Sequence, residues 1–116
     1  MPMPRARRAA AQVLTEFLHA MGAKDTATTC RIAAPTMANK GGDKECQSRF
    51  KLLFSGIPAS DLAAAKAATV DPAKLKASGA DKVTSSGRVS TPPVPFFEQF
   101  GELVLEWRGN TWLVTS

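Results

Sequence analysis

The chain has 116 residues, 44% of them hydrophobic, enough for one modest core and too short for two domains. Its formal net charge is +5, but Arg5, Arg7 and Arg8 supply three of the 15 basic residues, leaving 12 basic against 10 acidic beyond position 8. So small an excess argues against a nucleic-acid surface, which clusters its basic side chains, and no run reaches the roughly 18 apolar residues of a membrane-spanning helix.

Residues 1–8 read as a flexible basic N-terminus, and 9–116 as one domain. The basic start has the look of a signal peptide. The run behind it, Ala9 to Met21, is interrupted by Gln12, Thr15, Glu16 and His19, so it reads as an amphipathic helix instead. Membrane association would then require a lost or upstream anchor. Ala10, Val13, Leu14, Phe17, Leu18 and Met21 form a stripe of helical period, and Gly22 is placed to close the helix as its C′ residue. His19, the one histidine, lies off the stripe and reads as a solvated or capping residue.

Asp25 is an N-cap for a short second helix bounded by Pro35. After the turn residues Asn39-Lys40-Gly41-Gly42, Asp43 is read as the cap of a third helix with apolar positions Cys46, Phe50, Leu53, Phe54 and Ile57, ended by Gly56 and Pro58. Ser60 is read as the cap of an alanine-rich fourth helix, Asp61 to Ala67.

The second half is β-rich. One strand is expected from Thr69-Val70 through Asp71-Pro72 to Ser78. Gly79-Ala80-Asp81 turns it into another from Lys82 to Thr91, where Val83, Gly87 and Val89 share a parity. Thr91-Pro92-Pro93-Val94-Pro95 belongs to a loop or an edge, since proline brings no N–H to a ladder. Phe96, Phe97 and Phe100 follow and could cap the core, line a pocket or bind a partner; capping the core is the ordinary use of such residues. From Gly101 to Ser116 apolar and polar residues alternate on both sides of Gly109-Asn110, a dipeptide suited to a two-residue hairpin turn. With that turn Arg108 faces Thr111, Trp107 faces Trp112, Leu105 faces Val114 and Leu103 faces Ser116. One face is then Leu103, Leu105, Trp107, Trp112 and Val114, which should pack on Val13, Leu14, Phe17 and Leu18.

Cys30 and Cys46 fall on consecutive helices. They either form a disulfide, which would place the chain in an oxidising compartment, or remain a buried pair of free thiols; the disulfide is the favoured reading. Two cysteines and one distant histidine make no zinc set. No phosphate loop, dinucleotide fingerprint, HExxH or GxSxG motif occurs, so no cofactor or metal is expected. Asp71, Asp81, Glu98, Glu102 and Glu106 are the candidate carboxylates, each with a plain reading as a turn former or solvated strand residue.

The order of elements resembles the NTF2-like (cystatin-like α+β cone) superfamily, in particular small secreted or lipid-anchored NTF2-like proteins of actinobacteria. The resemblance rests on Val13 to Met21 with Lys24-Asp25, Cys30, Asp43-Lys44-Glu45-Cys46, Ala67 to Val70, and the closing Glu102 to Glu106 with Gly109 to Val114. It implies an α+β domain of N-terminal helices on a curved antiparallel sheet of about four strands, a Cys30–Cys46 disulfide, and a secreted or cell-envelope location, with a cytoplasmic one as the alternative. The expected function is non-catalytic binding of a small apolar molecule or a protein partner. The expected pocket residues are Phe17, Phe54, Phe96, Phe97, Phe100, Trp107 and Trp112. One alternative is a cone-pocket enzyme of isomerase, polyketide cyclase or epoxide hydrolase type. Another is an assembly subunit of a secretion or conjugation system, forming a homodimer through the sheet around Val104 and Leu113. Catalytic sets of the superfamily use Tyr/Asp, Asp-Arg-Asp or His/Asp; this chain has no tyrosine and none of those sets maps onto it.

Overall fold

The computed structural model describes residues 2–37, 42–78, 82–86, 90–99, 101–108 and 111–114. Four helices come first: α1 (Pro2–Gly22), α2 (Thr26–Met37), α3 (Gly42–Phe54) and α4 (Ala59–Ala67). They are followed by β1 (Thr69–Val70), a 3₁₀ turn (Pro72–Lys74), β2 (Lys76–Ala77), β3 (Lys82–Ser86), β4 (Ser90–Thr91), the single turn α5 (Pro95–Glu98), β5 (Glu102–Arg108) and β6 (Thr111–Val114). The fold class is α+β. The main sheet is antiparallel in the order β2-β3-β5-β6, and β1 pairs with β4 in a separate two-stranded ladder.

The helices differ from the sequence expectation mainly at their ends. α1 begins at Pro2, eight residues earlier than its apolar stripe. Pro2 and Pro4 are compatible with that start, because the first-turn N–H groups of a helix have no intrahelical partner. At its other end Gly22 is not the left-handed residue; Lys24 is, with φ +57°. Lys24 N–H donates to Met21 O (3.1 Å) and Asp25 N–H to Ala20 O (2.8 Å), the two bonds of a Schellman cap. Asp25 then starts the next helix as expected. Its Oδ1 accepts from Thr28 N–H (3.1 Å) and its Oδ2 from the Thr28 hydroxyl (2.6 Å).

α2 runs two residues past Pro35, because a proline near a helix end withholds a single backbone bond. α3 starts at Gly42, so Asp43 lies inside the helix and not before it. Ser60 does not cap α4. The N-cap is Pro58, whose carbonyl accepts from Asp61 N–H (3.0 Å) and Leu62 N–H (3.1 Å).

Each of the two strands expected between Thr69 and Thr91 is divided. Asp71 Oδ1 accepts from Ala73 N–H (2.9 Å), and with Pro72 at the first position this forms the 3₁₀ turn that parts β1 from β2. β3 joins the main sheet while β4 joins β1; residues 87–89, with the expected parity of Gly87 and Val89, lie outside the described residues. The turn at Gly79-Ala80-Asp81 lies outside them too, although Ser78 N–H donates to Lys82 O (2.9 Å) across it.

The closing hairpin has the expected register: Leu105 opposite Val114, Glu106 opposite Leu113, Trp107 opposite Trp112 and Arg108 opposite Thr111. Gly109-Asn110 and the Leu103–Ser116 pair lie outside the described residues. Val83 pairs with Leu105 and Ser85 with Leu103, so the inner face of the sheet carries Val83, Ser85, Leu103, Leu105, Trp112 and Val114, all buried. α1 and α2 lie across that face, and Leu14, Phe17, Leu18 and Met21 of α1 share one continuous core with it.

Candidate functional site

Aromatic rings gathered over a sheet can enclose a ligand or fill the interior. Phe17, Phe54, Phe97 and Trp112 are all buried within the core. Phe97 enters from α5 and meets Phe17 with ring centroids 6.5 Å apart, while Phe54 meets Phe50 at 5.6 Å. Phe96 is half-buried against the same core, and Phe100 lies outside the described residues. Of the expected pocket residues, Phe17, Phe54, Phe97 and Trp112 thus lie in the interior, Phe17 against Phe97, Phe54 against Phe50 and Trp112 against Trp107. Phe96 and Phe97, after the proline loop, cap the core.

Trp107 differs. It shares the inner face of the hairpin, with its ring 6.0 Å from that of Trp112 in an edge-on arrangement, yet it is 43% exposed where Trp112 is 5% exposed. The helices cover the hairpin as far as Trp112 and leave its cross-strand neighbour open to solvent. Leu52 and Leu53 of α3 are the other large apolar side chains exposed among the described residues. Leu53 thus departs from the apolar stripe expected for its helix, whose Cys46, Phe50 and Phe54 are buried.

His19, Asp61 and Thr15 are engaged on the backbone. His19 Nε2 is 2.7 Å from Ala68 O, at the carboxyl end of α4, so the histidine serves as a cap. Asp61 Oδ2 accepts from Phe96 N–H (3.0 Å) and supplies α5 with the cap that Val94 cannot. Sequence reading passed over Asp61 because its target is 35 positions away. The Thr15 hydroxyl donates to Ala11 O (2.8 Å) and accepts from Val70 N–H (3.2 Å), fixing β1 to α1.

Among the described residues the buried polar side chains are Thr29, Ser85 and Ser90, none of them a carboxylate. Glu102 is exposed, and Glu98 and Glu106 are half-buried; Asp81 lies outside the described residues. Asp25 is held below the usual carboxylate range, first by the hydrogen bond from the Thr28 hydroxyl and then by that from its N–H. No group of three His, Cys, Asp or Glu side chains suited to a metal occurs among the described residues.

Cys30 and Cys46 sit at disulfide distance, with Cα atoms 6.0 Å apart and both residues buried. Open depressions lie on the surface formed by the described residues. One of about 480 Å³ is bordered by Gly22, Leu62 and Lys66, and one of about 390 Å³ by Thr26, Lys44, Gln47, Ser48 and Lys51. Neither includes an expected pocket residue. On the outer face of the sheet Val104 and Leu113 are half-buried among Thr84, Ser86, Glu102 and Glu106. No described helix is long and apolar enough to cross a membrane. No protein-family model, curated protein or solved structure matches the chain.

Proposed function

We propose that the chain is a non-catalytic, NTF2-like binding domain of an oxidising compartment, secreted or held in the cell envelope, and that it receives a protein partner at the Trp107 end of its hairpin. The observation that carries this reading is the half-open tryptophan pair. A tryptophan with 43% of its surface in water, set edge-on against a buried one, offers a large rigid apolar contact at little entropic cost. A protein partner is favoured over a small apolar ligand because Phe17 already packs on Phe97 and Phe54 on Phe50. Helices over one face of an antiparallel sheet support the NTF2-like assignment, and the Cys30–Cys46 pair supports the compartment.

The reading is tested by site-specific photo-crosslinking in the native host, with a benzophenone amino acid at position 107 or at position 102, which is exposed at the far end of the same strand. Discrete protein adducts from position 107 and none from 102 are the expected outcome. Equal adducts from both, or none from 107, would overturn it.

A further inference from the structure

The four large helices are not equally anchored. α1 and α2 both meet the sheet and each other, and α1 also carries α4 and β1. α3 packs on α2, and among the described residues no other element meets it over a comparable extent. Its buried stripe is Cys46, Phe50 and Phe54, while Leu52 and Leu53 on the same helix remain 77% and 39% exposed. Its Arg49–Glu45 pair (3.2 Å) is internal to the helix, and the Thr26 hydroxyl reaches it at Gln47 Oε1 (3.1 Å). The strongest tie between α3 and α2 is the covalent one at Cys30–Cys46.

We infer that this bond is a redox clasp for α3. While it is oxidised α3 stays closed on α2; once it is reduced α3 lifts away as a unit, and the body formed by α1, α2 and the sheet remains folded. The reductant is a dithiol. One of its thiolates attacks a cysteine sulfur, forming a mixed disulfide and expelling the other cysteine as thiolate. Its second thiol then displaces the first cysteine, so two electrons pass to the protein pair and the reductant leaves as a disulfide. Both cysteines are 1% exposed, so attack has to await a local opening around the pair, smaller than the release of α3 that follows reduction. Opening the bond frees a loop whose closure favours the docked helix by about 100-fold. Released α3 would bare the Phe50 and Phe54 rings.

Hydrogen–deuterium exchange of the full chain, oxidised and then in dithiothreitol, tests the clasp. A Cys30→Ala, Cys46→Ala double variant without reductant repeats the test free of thiol chemistry. Peptides within Gly42–Phe54 are expected to exchange about 100-fold faster in both arms, with peptides covering Glu102–Val114 unchanged. Unaltered exchange in α3 would show that apolar packing alone holds it. Equal acceleration in Glu102–Val114 would show that the chain unfolds as a whole, and either result overturns the proposal.

Discussion

Replacing Gly22 with alanine tests how closely α1 and α4 approach. In an open helix the change is favourable by about 1 kcal/mol, because glycine loses the most backbone freedom on folding. Here an added Cβ would lie 2.5 Å from Lys66 Cγ, 2.6 Å from Lys66 N and 2.7 Å from Leu62 O. The lysine side chain can swing away, but the other two atoms are backbone within α4. The helix as a whole must retreat by about 1 Å to restore ordinary van der Waals separation. Overpacking of this kind costs up to about 3 kcal/mol, which leaves Gly22→Ala destabilising by roughly 2 kcal/mol after the propensity gain. Urea denaturation should show a lower midpoint with an unchanged slope, and thermal melting a fall of about 8 °C. The retreat also draws Ala68 O away from His19 Nε2, now 2.7 Å apart, so the imidazole resonances should shift. A midpoint equal to or above that of the parent would refute the close crossing.

Lys24→Gly is expected to move stability the other way, by about 1 kcal/mol, since it relieves a non-glycine residue at φ +57°; a fall in the urea midpoint would count against the Schellman cap. Thr15→Val should cost about 1–3 kcal/mol by leaving Val70 N–H without its acceptor, and exchange at the Val70 amide should quicken. Asp61→Ala removes the cap of α5 at about 1–2 kcal/mol, with faster exchange at the Phe96 amide as its signature. The folded-state pKa of Asp25 is lowered, so its contribution is complete above its ordinary value of 3.8 and is lost as pH falls through the lower folded value. Asp25→Asn should therefore flatten stability against pH in that acid window; identical profiles for parent and variant would sink the assignment.

The features legible in the sequence were those written in periodicity. The α1 stripe from Ala10 to Met21 and the alternation around Gly109-Asn110 fixed which faces meet, and the register from Leu105–Val114 to Arg108–Thr111 agrees at every described pair. Local chemistry was less sufficient. Gly22 satisfies every sequence criterion for a helix-ending glycine, yet it is used for a close approach to α4, and Lys24 takes the left-handed conformation. Ser60 and Asp43 are good caps by type, but the neighbouring helices begin earlier than either residue. Asp61 caps a helix 35 positions away, a relation that no local window contains. A related gap concerns the aromatic residues. Composition gives the number of rings but not the volume left between them, so a filled core and a ligand pocket have the same sequence signature.

The placement of polar side chains bears on function more directly than any single residue. Asp25, Asp61 and Asp71 each accept from a backbone N–H at the start of a helical turn, Thr15 accepts from Val70 N–H, and His19 meets the carbonyl that ends α4. Such bonds secure elements too short or poorly capped to hold themselves: a four-residue α5 with valine at its N-cap, a two-residue β1, and a 3₁₀ turn of three residues. A side chain fixed on a structural N–H can contribute to catalysis only by releasing it, at a cost near that of a buried unsatisfied group. Exposed apolar surface carries no such obligation. Trp107, 43% exposed, can exchange water for another apolar surface without breaking a hydrogen bond of the fold.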